Sequence, residues 1–474
     1  MSQTITIDPV TRLEGHGKIT IYLDGNGEVE NAQFHVTQVR GFERFAQGRP
    51  FYEMPSLMAR ICGICPVSHL IASAKACEAI MSVRIPHTGA QLRRMLNLAQ
   101  MVQSHALSFF YLSSPDLLLG MESNPATRNI FGVAAASPEL GRAGVGLRRF
   151  GQHIIELLGD KRIHPGWVVP GGVTEPLSAA KRDAILAMIP EAYANVTLAL
   201  NWYKKVADTF KAEIDVFANF PSLYMGLINE DESIEFTDGT LRMIDAQGKT
   251  IEDGITASRY TDVIGEAVEN YSYTKFAYYK PLGYPQGSYR VGPLARLNIV
   301  KSMGTPLAEK ELALFKQLAA GPVESSFHYH HARLIEALYG IEKIEQILSD
   351  PLILDKHVRA NAGVNRLEGA GQAEAPRGTL NHHYKVDENG KITWANLVIA
   401  TGQNNNAMNR GVLQAAKHYV KDRKFSEGAM NRIEAVVRTF DPCLSCSTHA
   451  AGQMPLEISL LSADGEVVDR IARK

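Results

Sequence analysis

Hydrophobic and polar positions alternate along residues 4 to 38, on either side of a polar DGNG turn at Asp24 to Gly27. A period of two places successive side chains on opposite faces, so this stretch predicts a hairpin of two half-buried strands. From Pro55 to about Val83 the period changes, and apolar residues recur every three or four positions, as on one face of a helix. The same spacing predicts helices over roughly 91–114, 138–159, 177–217, 306–320, 323–349, 406–421 and 427–439. Short alternating runs return at Ser233 to Asp245, His382 to Val386 and Ile392 to Ile399, the last two separated by a DENG turn at Asp387 to Gly390. The pattern predicts an α+β fold, mainly α: a central bundle of long helices with small peripheral antiparallel sheets. No repeat, low-complexity tract or long linker divides it, and the Gly-, Pro- and Tyr-rich stretch Pro281 to Pro293 reads as a packed loop.

Composition narrows the partners. With 474 residues, 45% of them apolar, the chain is long enough for a large core. Forty-nine basic and 50 acidic residues leave a net charge of −1, so no global field favours nucleic acid or an anionic membrane. The N-terminus has no basic region followed by an apolar run, and no stretch approaches the roughly 18 to 20 apolar residues of a membrane span. A cytoplasmic location is the expectation, although a protein exported together with a partner would also lack a signal of its own.

Cysteine spacing carries the chemistry. Four of five cysteines form two Cys-x-x-Cys pairs, Cys62 and Cys65 in RICGICPVSHL and Cys443 and Cys446 in DPCLSCSTHAAGQMP, near opposite ends of the chain. They make one four-thiolate site only if the fold returns its C-terminal segment to its N-terminal third, which argues for one interwoven body. Reducing conditions favour thiolates held by metal over disulfides. Soft thiolates suit zinc, iron–sulfur clusters, copper(I) and nickel, so the cysteines alone do not choose. Structural zinc usually clips nearby loops of a small module, and neither pair stands in the strand–CxxC–helix setting of a redox dithiol. A four-cysteine iron–sulfur cluster competes more strongly. Against it stand Arg60, His69, Asp441 and His449, a polar and charged company suited to orienting ligands and moving protons.

RxCGxCxxxH at Arg60 to His69 together with DPCxxCxxH at Asp441 to His449 resembles the paired motifs of the large subunit of nickel–iron hydrogenases. DPVTRLEGHGK (Asp8 to Lys18), RGFE (Arg40 to Glu43), PGG (Pro170 to Gly172), EAPRG (Glu374 to Gly378) and NLVIAT (Asn396 to Thr401) resemble further landmarks of that family, in family order. Within it, the cysteine segments are most similar to the soluble, NAD-coupled bidirectional enzymes. The resemblance implies reversible heterolytic splitting of H2 at a nickel–iron centre whose iron carries carbon monoxide and cyanide. Cys62 and Cys443 are then terminal nickel ligands, and Cys65 and Cys446 bridge nickel to iron. It implies further that Cys443 is the first base for the released proton, that Glu14 relays it, and that Arg377, held by Asp441, lies over the open coordination site. Pro376 and Thr401 would line the diatomic ligands, and His69 would donate a hydrogen bond near the bridging thiolates. Glu43, the Leu397 carbonyl and His449 would bind magnesium. Ser104 stands where relatives tend to carry an acidic residue.

Other features read as structural. Cys77, in a helical run of Ala and Ile, predicts a buried thiol. HYHH at His328 to His331 and the pair His382 and His383 are set aside as structural or surface residues, since neighbouring positions face different ways. GRAGVGLRRF has Arg149 where a third glycine of a nucleotide fingerprint belongs. With four cysteines committed, Cys77 alone cannot hold an iron–sulfur cluster. The resemblance therefore implies an iron–sulfur small subunit, flavin-containing subunits for NAD, and no NAD, flavin or iron–sulfur cluster on this chain. The sequence continues past His449, from Ala450 to Lys474. In the family a maturation peptidase removes such a tail after nickel-insertion factors have acted, so residues 1–449 are expected as the mature domain and 450–474 as a cleaved tail. A deazaflavin- or other-acceptor-coupled hydrogenase is the nearest alternative, and a structural four-cysteine metal protein a more distant one.

Overall fold

Among the described residues, seven helices of 14 residues or more build the body: Pro66–Met81, His87–Ala106, Pro138–Gly159, Ile189–Ala207, Tyr329–Ser349, Ala400–Tyr419 and Glu427–Phe440. The structure is a computed structural model and describes residues 3–421, 425–450, 456–461 and 467–473. Helix Tyr329–Ser349 is the central post, buried without interruption from Tyr329 to Glu342 and packed against helices His87–Ala106 and Ile189–Ala207. Glycines set how close the helices come. A Cβ on Gly144 would lie 2.6 Å from Phe110 Cγ, and one on Gly151 would lie 2.2 Å from the Ala99 carbonyl oxygen. The glycines of GRAGVGLRRF therefore sit in mid-helix as packing contacts.

The long helix expected over Pro55 to Val83 is two helices, Met54–Ala59 and Pro66–Met81. The break is the loop from Arg60 to Cys65, which carries the first cysteine pair. Pro66 starts the second helix, where its missing N–H costs nothing. The stretch expected helical over 91–114 passes at Leu107 from α-helix into a π-helical turn, Leu107–Ser113.

Strand content was the less legible part. The N-terminal sheet has three antiparallel strands, Gln3–Ile7, Gly17–Leu23 and Val29–Val36, one more than the expected hairpin. The hairpin turn is held by Asp24, whose carboxylate accepts the N–H of Asn26 and of Glu28. A four-stranded sheet orders Tyr289–Arg290, Leu223–Ile228, Thr240–Ile244 and Thr250–Ile255, its first pairing parallel and the others antiparallel. Strands Ile264–Val268 and Lys275–Tyr279 pair separately.

The sheet that matters for the site is Glu368–Ala375, Gly378–Val386 and Ile392–Val398, antiparallel throughout. Its first strand, EGAGQAEA, has almost no β-formers and gave no strand signal. Its glycines explain why it is there. A Cβ on Gly369 would meet the Ala76 carbonyl oxygen at 2.3 Å, and one on Gly371 the Ala72 carbonyl oxygen at 2.2 Å, so the strand lies directly on helix Pro66–Met81. Ala375 pairs with Gly378, which leaves Pro376 and Arg377 as a two-residue turn at the buried tip.

Among the described residues, no helix is long and apolar enough to cross a membrane. The expected tail, 450–474, lies partly outside the described residues; within them Leu456–Leu461 and Val467–Arg473 form an antiparallel hairpin.

Candidate metal centre

The two ends of the chain meet at sulfur. Cys62 and Cys65 sit in the loop before helix Pro66–Met81, and Cys443 and Cys446 in and beside the short helix Leu444–Ser447. All four are buried and free, with their sulfurs within 4.8 Å of one another. Cys62 Sγ lies 3.3 Å from Cys443 Sγ, and Cys65 Sγ lies 3.5 Å from Cys446 Sγ. Cys443 and Cys446 approach to 2.9 Å. These separations exceed the ~2.05 Å of a disulfide. The Cys62–Cys443 and Cys65–Cys446 separations come near the ~3.8 Å edge of a tetrahedral site with ~2.3 Å metal–sulfur bonds. Cys62 Sγ accepts the N–H of Ile64 at 3.2 Å and of Cys65 at 3.4 Å. Hydrogen bonding from the Cys443, Cys446 and Cys65 thiols, joined by the Arg377 charge, holds Cys62 well below the ordinary thiol range, whereas burial pushes Cys443 and Cys446 up.

Glu14 reaches this cluster directly. Its backbone forms a parallel bridge with Cys443, and its carbonyl accepts the Leu444 N–H at 3.1 Å. The Cys443 thiol donates to Glu14 Oε2 at 3.1 Å, and Ser445 contributes its N–H at 3.0 Å and its hydroxyl. Gly15 makes the approach possible, since a Cβ there would lie 2.6 Å from Leu444 Cβ at a φ of +92°. Glu14 itself is half-buried.

Arg377 closes another side. Its Nε donates to the Asp441 carbonyl at 2.5 Å, its Nη2 to the Asp441 carboxylate at 3.0 Å, and its Nη1 to Ser104 Oγ at 3.5 Å. The expected pairing with Asp441 is therefore present, and Ser104 takes the third direction. Burial works against the guanidinium charge, but Asp441 and the sulfurs of Cys443, Cys65 and Cys62 hold it firmly protonated. Asp441 is placed by a left-handed turn, φ 52°, that ends helix Glu427–Phe440. Pro376 shares the turn with Arg377. Thr401 accepts the Cys443 N–H at 2.9 Å, which leaves its hydroxyl hydrogen free to donate elsewhere.

His69 is fully buried, and its partner is one that the sequence reading set aside. Its Nδ1 lies 3.1 Å from His382 Nε2, and His382 Nδ1 meets the Tyr384 hydroxyl at 2.8 Å, which in turn donates to Ser73. His69 Nε2 is buried without a partner. Strand alternation separates the two neighbours: His382 is fully buried in this chain of contacts, whereas His383 packs edge-on to Trp394. His328, His330 and His331 are buried among aromatic rings and form no metal-holding group among the described residues. Cys77 is a buried thiol donating to the Phe51 carbonyl.

A second polar cluster lies beside the C-terminal motif. His449 Nδ1 contacts the Cys446 carbonyl at 3.1 Å, so Nε2 carries the lone pair; it is buried, lacks a hydrogen-bond partner and lies 3.7 Å from Glu43 Oε1. Burial, with Lys275 adding, pushes His449 down to about 4. Leu397 meets Glu43 through its N–H at 2.8 Å, and its backbone also faces His449. Lys275 was missed by sequence reasoning. Its ammonium contacts Glu43 at 3.2 Å and Glu266 and Asn396 at 3.1 Å. Only strand pairing brings it there, and SYTKFAYY contains no signal for it.

Comparison with known proteins accords with this geometry. A family described as HoxL-like matches residues 4–39, and the nickel-dependent hydrogenase family matches residues 40–126 and 145–449. The chain is 43% identical to the beta chain of the NAD-reducing hydrogenase HoxS of Cupriavidus necator, over the full length of both. It is 39% identical to one chain of the F420-non-reducing hydrogenase vhc of Methanococcus voltae, over 97% of this chain and 98% of that one. Among solved structures, an NAD+-reducing [NiFe]-hydrogenase in the H2-reduced state superposes with a TM-score of 0.92 at 42% identity, covering 94% of this chain and 99% of the other. The Ni-Fe-Se hydrogenase of D. vulgaris Hildenborough follows at 0.75 and 26%, covering 95% and 100%.

Proposed function

The chain belongs to the nickel-dependent hydrogenase family, and from that premise we propose that it is the H2-splitting subunit of a cytoplasmic complex that exchanges electrons between H2 and NAD(P). The observation that carries this reading is the convergence of four buried sulfurs with a carboxylate on one side and a guanidinium on another. In it, Cys62, Cys65, Cys443 and Cys446 would together hold a nickel–iron group, Cys62 and Cys443 as ligands of nickel alone and Cys65 and Cys446 as ligands shared with iron, whose other ligands would be carbon monoxide and cyanide. The thiolate donor set fits such soft metals. When bound, the group supplies a place where H2 is polarised and cleaved heterolytically.

What the protein supplies follows from its side chains. The Cys443 sulfur is the first stop for the proton, and half-buried Glu14 Oε2, 3.1 Å away, receives it and leads it outward. Arg377 keeps a fixed positive charge beside the sulfurs, with Asp441 and Ser104 setting its plane. Thr401 and Pro376 would line the iron's diatomic ligands, and His69 would serve the thiolates shared between the metals. Glu43, Leu397 and His449 hold magnesium, a reading supported by the orphaned His449 Nε2 beside Glu43.

Electrons leave to an iron–sulfur small subunit, then pass to flavin-containing subunits. The Cys62–Cys65 loop surfaces at exposed Gly63, which gives such a partner a short approach to the sulfurs. Maturation ends with a peptidase cut between His449 and Ala450, after nickel-insertion factors have acted; the family match also ends at His449.

Infrared spectroscopy with metal analysis tests the core of this reading. Nickel and iron with carbon monoxide and cyanide bands are expected, whereas zinc without those bands would leave a structural metal protein. H2-dependent NAD+ reduction by the assembled complex, absent from the isolated chain, tests the coupling. The similarity to F420-non-reducing hydrogenases supports a second reading, an acceptor other than NAD(P), which the same assay distinguishes.

A further inference from the structure

Arg377 stands on the two-residue turn between strands Glu368–Ala375 and Gly378–Val386, where the strand pairing ends. Arg296, on helix Pro293–Ile299, braces that turn. Its Nε and Nη2 donate to the two carboxylate oxygens of Glu336, each at 2.7 Å, and its Nη1 donates to Glu374 at 2.6 Å. Nη1 also donates to the Ala375 carbonyl at 3.1 Å, and Nη2 to the Pro376 carbonyl at 3.3 Å. A guanidinium has five N–H groups, and all five are placed. Two of them grip the carbonyls of the two residues that precede Arg377.

The grip is itself held. Glu374 accepts the Leu227 N–H at 3.0 Å and the Thr379 hydroxyl at 2.7 Å, while Glu336 contacts His105 Nε2 at 2.8 Å. His105 follows Ser104, the residue that faces Arg377 Nη1. One turn before Arg296 on the same helix, Gly292 lets the turn sit close, since a Cβ there would lie 2.8 Å from the Arg377 carbonyl oxygen. The side chains of Arg296, Glu336 and Glu374 are 0% exposed. Buried ionic triads are weak devices for stability, because desolvation offsets their attraction. This one directs two of its five guanidinium bonds to the backbone beside Arg377.

We propose that Arg296 is the positioning residue of Arg377, setting through the Ala375 and Pro376 carbonyls where the Arg377 guanidinium lies over the sulfurs. The inference rests on the proposed nickel–iron site. Arg296→Lys keeps the charge but replaces a planar fork with three donors on a flexible stem. In the assembled enzyme it is expected to retain nickel and iron, to shift the carbon monoxide and cyanide infrared bands, and to lower kcat for H/D exchange by about 10- to 100-fold, with KM for H2 within about twofold. The double variant Arg296→Lys/Arg377→Lys should be no worse than Arg377→Lys alone, because both act through one group. Unshifted bands with near-normal kcat, or losses that multiply in the double variant, would overturn the proposal. Where Arg296→Lys does not take up nickel, Glu374→Gln loosens the same fork and should give the same band shift; unshifted bands there, or failure of both variants to load, would mark the triad as a folding element only. A wild-type enzyme without nickel or without those bands would instead remove the underlying reading.

Discussion

The Cys443 thiol donates to the Glu14 carboxylate at 3.1 Å while the backbones of the two residues pair as an isolated parallel bridge. Main-chain pairing thus sets the two residues side by side, and the Ser445 N–H and hydroxyl hold the Glu14 carboxylate toward the sulfur.

Glu14→Gln should therefore lose the proton acceptor and keep the geometry. We expect turnover and H/D exchange to fall by about 10²- to 10⁴-fold with the infrared bands unchanged. Exchange at the wild-type rate in a fully metallated variant would exclude Glu14 from the proton route.

Arg377→Lys keeps a charge but cannot bond Asp441 through both backbone and side chain while reaching Ser104. A loss of about 10²- to 10³-fold in kcat is expected, of the size seen when an electrostatic donor is removed from a dry site. Asp441→Ala is expected to be worse for folding, by about 3–5 kcal/mol, because it leaves a buried guanidinium unpaired. Denaturant unfolding of the metal-free chain measures the second, and steady-state kinetics the first.

Burial lowers His328 from 6.5 to about 4, with neighbouring His331 adding to it. A neutral buried imidazole binds fewer protons than its unfolded counterpart, so its contribution is complete above pH 6.5 and is lost as pH falls toward about 4. Thermal midpoints of the metal-free chain should decline across that window, and His328→Gln should make the decline shallower. An identical pH profile in the variant would contradict this assignment.

Magnesium should raise the thermal midpoint if His449, Glu43 and Leu397 hold it, since a ligand at 100 times its Kd adds about 2.7 kcal/mol. His449→Ala should abolish the response. A wild-type midpoint indifferent to magnesium and to chelator would argue against the site.

Gly371→Ala is expected to be severely destabilising. The added Cβ would lie 2.2 Å from the Ala72 carbonyl oxygen and 2.4 Å from the Ala76 nitrogen, both backbone atoms that cannot step aside. At Gly63, with open space around it, alanine should be tolerated. Soluble yield and unfolding midpoint compare the two directly.

The long helices were legible because their apolar spacing persists over many turns, as in Pro138–Gly159, where expected and observed bounds agree. The strand Glu368–Ala375 was not, because its glycines answer to a neighbouring helix and alternation never develops. At the site, residues inside dense motifs could be named in advance: the four cysteines, Glu14, Arg377 and Asp441. Lys275 and Arg296 could not, because each comes from a stretch without a motif, and His382 was set aside because its neighbour shares the sequence signal; all three reach the site through tertiary packing.

Cys62 and Cys443 touch across 381 positions of chain. Cys443 is made 381 residues after Cys62, so half of the site must wait while that length of chain is synthesised. Loop closure over such a span adds only slowly to the entropic cost, since each doubling of length costs about 0.6 kcal/mol. The delay is one of time more than of energy. It gives any factor that delivers metal to Cys62 and Cys65 an interval in which the opposite wall of the site does not yet exist.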